Sequence, residues 1–182
     1  MPALPAPLRP PAGAPIVVRE AVGAEVDRAG EVVADAYLAD GLASERYAVR
    51  LRDSRERARA GRLLVAVSPD GEVLGTATYA RAGSPLAELC RTDPDGAEIR
   101  MLGVLPAARG RGVAEALVRW CIRAARADGA LRVLLSTQVD MHAAHRLYAR
   151  LGFTRRTDLD WTPEPGVQLL GLQLDLSAAR EG

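Results

Sequence analysis

The chain contains no lysine and no asparagine, so all 24 of its basic side chains are arginine. Together with the abundance of alanine, this reads as a bias toward GC-rich codons. It also has a chemical consequence. A nucleotide-binding P-loop needs a lysine followed by serine or threonine after its second glycine, and that class is excluded. Cysteine is scarce: Cys90 and Cys121 stand alone, with no CxxC spacing. Neither a disulfide scaffold nor a thiolate metal cage is therefore expected, and both cysteines read as small core residues in a reducing compartment. No excess of one charge exists, because 24 basic residues face 23 acidic ones for a net charge of +1. That balance gives no support to nucleic-acid binding driven by bulk positive charge. No apolar run approaches the length of a membrane span, and residues 1–15, with six prolines, carry no apolar stretch of signal-peptide type. The expected setting is the cytoplasm, with neither membrane nor nucleic acid as partner.

What the chain does have is 182 residues, 48% of them hydrophobic. That is enough for one domain burying roughly two thirds of its unfolded surface. The domain is expected over residues 16–176, between a Pro-rich tail (1–15) and a short C-terminal tail (177–182). Residues 16–20 read as a strand, and Val22, Val26, Ala29, Val33 and Tyr37 recur at helical spacing. Ser44 is placed to cap a second helix running to about Ala60. Strands 63–67 and 73–79 flank Ser68-Pro69-Asp70-Gly71, a hairpin turn in which proline presets one dihedral and glycine permits a positive one. A long loop (82–96), a strand (98–104), a helix (111–128) and a buried strand (131–137) follow. Asp140 is placed to cap a helix through Arg150 that stops at Gly152, and strands 153–161 and 167–176 close the chain. The order β-α-α-β-β-β-α-β-α-β-β predicts a mixed α/β sheet.

The segment Glu98–Leu117 carries the chemistry. A strand runs into a turn holding Arg109-Gly110-Arg111-Gly112, and a helix begins at once. Free N–H groups at a helix start, together with the helix dipole, form an anion site. Gly110 and Gly112 remove side chains where a phosphate approaches the backbone, Ala114 keeps the first turn small, and two arginines add charge. A Rossmann fingerprint does not fit. Its third glycine would be Glu115, an anion facing the pyrophosphate, and Leu105–Arg109 separate the strand from the turn.

Two motifs in register resemble those of the GNAT superfamily of acyl-CoA-dependent N-acetyltransferases. Arg109, Gly112 and Ala114 match its signature of Gln or Arg, two residues, Gly, one residue, Gly or Ala. Leu147-Tyr148-Ala149-Arg150-Leu151-Gly152-Phe153 matches its second, LY-x-x-LGF. The resemblance covers residues 16–176 and is strongest over 98–153. It implies a GNAT-like fold whose central strands splay apart, and acetyl-CoA as cosubstrate with no metal. The pyrophosphate would lie on Arg109, Gly110, Arg111, Gly112, Val113 and Ala114. The pantetheine arm would pair with the strand near Leu102, Gly103 and Val104, where Gly103 serves either a bulge or a packing contact. It further implies direct transfer of the acetyl group to a primary amine, on a small molecule or a peptide, within a ternary complex. Tyr148 would be the general acid and Glu98 the general base. For the base, Glu88, water, or a Glu98–Arg100 surface pair that leaves Glu98 idle stay open. Family members often dimerise, and a homodimer is expected by analogy.

One departure stands out: Met141 occupies a position where relatives commonly carry a cofactor-binding asparagine. It motivates the alternative of a non-catalytic acyl-CoA-binding or sensing module on the same fold. His142 and His145 have metal-ligand spacing but no evident third ligand, and read as helix-surface residues. Trp161 reads either as a wall of the acceptor pocket or as a core-edge residue.

Overall fold

The computed structural model describes residues 15–177; both expected tails, save their innermost residues, lie outside the described residues. The N-terminal part runs β1 (Val17–Glu20), α1 (Glu25–Ala39), α2 (Glu45–Arg52), α3 (Ser54–Ala60), β2 (Arg62–Val67) and β3 (Val73–Arg81). After the long loop come β4 (Gly96–Val104), α4 (Val113–Ala127), β5 (Arg132–Gln138), α5 (His142–Arg150), β6 (Thr154–Arg155), β7 (Trp161–Glu164) and β8 (Val167–Asp175). The strands form one mixed sheet in the order β1-β2-β3-β4-β5-β8-β6, with β7 also on β8.

The expected element order holds, with two elements divided. Ser44 caps α2 as its hydroxyl accepts the Tyr47 N–H at 3.2 Å. The helix does not run on to Ala60, because Asp53 (ψ 74°) breaks it, and the Ser54 hydroxyl donates to the Arg52 carbonyl there. Likewise 153–161 is not one strand. The Arg156 N–H bonds the Gly171 carbonyl of β8 and the Asp160 carboxylate accepts the Gly171 N–H at 2.8 Å, which folds 157–159 into a tight turn over β8. Asp140 does not cap α5, whose N-cap is Met141 without a side-chain bond.

The main core lies between α4 and the sheet. Val113, Leu117, Val118, Cys121 and Ala125 recur at three- and four-residue spacing, are buried, and pack on Leu64, Ala77, Ile99, Val133 and Leu135. Each large aliphatic side chain so buried contributes about 1.5–3 kcal/mol. On the opposite face α1 packs through Val32 and Val33. Cys90 and Cys121 are buried free thiols, as their isolated positions predicted.

Two features of β4 prepare the site. Opposite Ala77 of β3 the pairing passes from Thr78↔Arg100 to Thr76↔Gly103, so Met101 and Leu102 form a bulge. Met101 lies there at φ 50°, a left-handed conformation that costs a side-chain-bearing residue about 1–2 kcal/mol. The bulge therefore precedes Gly103, and Gly103 serves packing: a Cβ on it would lie 3.0 Å from the Val33 Cα of α1. Second, β4 pairs with β5, the one parallel neighbour, only from Gly96↔Arg132 to Ile99↔Leu135. Beyond that β5 stays with β8 as far as Gln138 while β4 diverges, leaving a wedge open between them.

Candidate active site

Past β4 the chain makes a tight turn at Pro106–Ala108, and Arg109 is extended. Gly110 (φ 71°) and Gly112 (φ 77°) then take left-handed conformations that only glycine adopts cheaply, and Gly112 is the N-cap of α4. No side chain caps α4, so the amides of its first turn remain available at the positive end of a fifteen-residue helix dipole. They open onto a cavity of about 740 Å³. Leu102, Gly103 and Val104 form its β4 wall; Arg109, Gly110, Gly112, Val113 and Ala114 form its floor. Arg111 is the one predicted binding residue absent from the lining, and its Nη2 is buried without a hydrogen-bond partner.

The charge around this cavity differs from the expectation in one respect. Arg109 already holds a carboxylate: Asp40, at the C-terminal end of α1, takes its two Nη groups at 2.8 and 2.9 Å. Arg146 and Arg150 of α5 also line the cavity and were missed, because one turn of helix brings them round from a motif noted only for its tyrosine.

A second cavity, of about 330 Å³, lies on the other side of the wedge. Tyr37, Leu42, Leu102 and Met141 line both cavities, so the two meet where β4 and β5 part. Glu98 and Tyr148 both line the second cavity. Glu98 is 3% exposed, and its carboxylate accepts the Leu89 N–H at 2.8 Å. Burial pushes its pKa up to about 7, against the opposing pull of Arg100 and that N–H. The Glu98–Arg100 pair considered for Glu98 forms, but it is buried rather than on the surface, and Arg100 is shared. Arg100 lies 3.8 Å from Glu98 but 3.1 Å from Glu88, and also donates to the Leu86 carbonyl at 2.5 Å. Tyr148 is buried, its ring 5.6 Å from that of Phe153, and its hydroxyl has no hydrogen-bond partner among the described residues. Burial raises its pKa above the ordinary phenol value, so it is a neutral proton donor near neutral pH.

Met141 stands at the junction, with its sulfur 3.6 Å from the Thr137 hydroxyl. The Gln138 side-chain amide, the nearest substitute for an asparagine, is spent on the Leu42 carbonyl at 2.9 Å. His145 meets the Gln138 carbonyl at 3.0 Å, and the rings of His142 and His145 lie edge to face at 6.1 Å. No group of three His, Cys, Asp or Glu able to hold a metal ion occurs among the described residues. Trp161 lines the second cavity while 39% exposed, which makes it a wall rather than a core residue. No helix among the described residues is long and apolar enough to cross a membrane.

The uncapped amides at the start of α4 and the opening between β4 and β5 belong to a chain of the Acetyltransferase (GNAT) family, whose profile matches residues 31–153. Among curated relatives, a mycothiol acetyltransferase of Arthrobacter sp. (strain FB24) is 35% identical over 57% of this chain and 31% of its own length. An uncharacterized N-acetyltransferase of Mycobacterium bovis is 33% identical over 62% of each chain. The chain thus spans less than two thirds of the length of either relative. Among solved structures, a GNAT acetyltransferase of Staphylococcus aureus Mu50 aligns with TM-score 0.70 at 14% identity, over 89% of this chain and 99% of that one. A Salmonella typhimurium putative acetyltransferase, solved with its cofactor acetyl-CoA, aligns with TM-score 0.63 at 22% identity, over 90% and 95%.

Proposed function

We propose that this protein transfers the acetyl group of acetyl-CoA directly to a primary amine. The observation that carries the reading is the meeting of two cavities at the β4–β5 wedge, one floored by uncapped amides of α4, the other holding Glu98 and Tyr148. Acetyl-CoA supplies the activated thioester. The residues of this chain do the rest. Amides of Gly110–Ala114 hold the pyrophosphate, and the β4 edge at Leu102–Val104 offers backbone groups to the pantetheine amides. Orientation of the two substrates across the wedge provides much of the rate.

Glu98 takes a proton from the incoming ammonium. With its pKa near 7 it is ionised often enough to accept that proton and basic enough to hold it. Tyr148, with a free hydroxyl, delivers a proton to the departing thiolate. The alternative of a binding or sensing module draws on Met141 at the junction. A buried carboxylate raised to about 7 on the wall of the second cavity, which is also lined by a tyrosine whose hydroxyl has no partner among the described residues, supports catalysis. The test is an acetyl-CoA assay against a panel of amines, read by thiol release and by the mass of the product. Acetylated amine formed at a rate above the uncatalysed one supports the reading, and acetyl-CoA binding with no turnover on any amine sinks it.

A further inference from the structure

The chain is poor in aromatics: one Phe, two Trp and four Tyr in 182 residues. Four of these seven line the 330 Å³ cavity, each from a different element: Tyr37 of α1, Tyr47 of α2, Tyr148 of α5 and Trp161 of β7. The others are accounted for elsewhere. The Tyr79 hydroxyl bonds Asp128 at 2.8 Å, Trp120 lies 4.4 Å beneath the Arg62 guanidinium, and Phe153 packs behind Tyr148. An indole 39% exposed at a cavity mouth is not there for the core. Its Nε1–H points to the Ser136 hydroxyl of β5 at 3.3 Å, which fixes the ring across the opening.

Three carboxylates (Glu88, Glu98 and Glu164) and two arginines (Arg50 and Arg100) line the cavity. Arg100 is shared among Glu88 at 3.1 Å, the Leu86 carbonyl and Glu98 at 3.8 Å, and Glu98, which also accepts the Leu89 N–H, is the buried one of the carboxylates on the cavity wall. Two other cations flank the Tyr47 side. Arg50 is exposed on the rim. Arg57, 3% exposed, lies behind the wall with one Nη on the Met101 sulfur at 3.3 Å and with Nε and Nη2 unpartnered.

Building on the acetyl-transfer reading, we propose that the acceptor is a small primary amine carried on a flat apolar body, an arylalkylamine in chemical class. Its ammonium is drawn to Glu98 and to the faces of the tyrosines, and its ring stacks against Trp161 and Tyr47. A cavity of this volume takes a ring with a short amine arm. Polyamines and amino sugars lack the flat apolar surface.

The experiment compares phenethylamine, phenylalanine, spermidine and glucosamine as acceptors at saturating acetyl-CoA, with the full chain and with Trp161→Ala and Trp161→Phe. Phenethylamine should exceed each of the others in kcat/KM by tenfold or more. Trp161→Ala should raise the KM for phenethylamine about tenfold while leaving the KM for acetyl-CoA unchanged, and Trp161→Phe should restore it. Equal or better turnover of spermidine, glucosamine or phenylalanine overturns the proposal, as does a phenethylamine KM indifferent to Trp161→Ala. Calorimetric titration of phenethylamine and spermidine into the CoA-saturated protein separates the two claims. If no amine is acetylated, the transfer reading falls; tighter binding of phenethylamine then still supports the cavity assignment, and equal or weaker binding refutes it.

Discussion

Glu98→Gln separates what the carboxylate does for the reaction from what it costs the fold. In the folded protein burial lifts the Glu98 pKa from 4.5 to about 7. At about 1.4 kcal/mol per pKa unit, the ionised side chain is disfavoured in the native state by about 3 kcal/mol. The pKa is higher folded than unfolded, so the native state binds the proton more tightly. The stabilising contribution is complete below about pH 4.5, falls as pH rises, and is gone above about pH 7. Glutamine carries no charge and keeps a carbonyl oxygen for the Leu89 N–H, so the variant escapes this loss. Near pH 5 the two proteins should melt at similar temperatures. At pH 8 to 9 the variant should melt higher by about 6–12 °C, at about 2–4 °C per kcal/mol for a chain of this size. Activity should move the other way. Wild-type kcat/KM should rise about tenfold per pH unit to a bend near 7. In the variant the rising limb should shift to higher pH, because the amine must then lose its proton to solvent. Thermal melts and initial rates from pH 5 to 9 read both effects. A melting difference that does not change with pH would mean that Glu98 does not titrate in this range, and an unshifted rate profile would remove it from the mechanism.

Tyr148→Phe should lower kcat about a hundredfold or more while acetyl-CoA affinity by calorimetry stays within about twofold; full activity would disprove the acid assignment. Asp40→Asn should release Arg109 and remove an anion from the mouth of the larger cavity. Acetyl-CoA should then bind up to about fivefold more tightly at low salt, from about 1 kcal/mol of screened charge interaction, and weaker binding in a titration would show that the pair acts as a clamp. Leu117→Ala, at a fully buried position of α4, should cost about 2–5 kcal/mol in urea unfolding, and a smaller loss would indicate that the α4 contact is loosely packed.

Much of this site was legible because it is local in sequence. Gly110 and Gly112 announce left-handed backbone, a helix start announces free amides, and Leu147–Phe153 set Tyr148 on an amphipathic helix closed by Gly152. Glu98 could be placed on a strand, but its burial depends on the long loop folding back so that Leu89 covers it, and no pattern in residues 82–96 signals that. The bulge at Met101 was legible only as a possibility at Gly103, since alternation along β4 looks unbroken. Asp40 and Arg109 are 69 residues apart, and their ion pair follows from the packing of α1 against β4. Asp53-Ser54, two capping residues in the middle of a predicted helix, was a readable sign of the α2–α3 break. The tyrosines of α1 and α2 looked like ordinary apolar-face residues until the sheet opened beneath them.

The brief pairing of β4 with β5 reaches further than the wedge it creates. Only the register from Gly96↔Arg132 to Ile99↔Leu135 ties the two halves of the sheet directly at this seam. Tyr37 and Tyr47 ride on one half, and Tyr148 and Trp161 on the other. Along the sheet itself the two halves share a four-residue seam, while α4 packs beneath both, and the gap above the seam separates the rings on one side from those on the other. On the proposed function, a cosubstrate seated at this seam would set the spacing into which an acceptor fits, and each ligand would then alter the affinity for the other by the same factor.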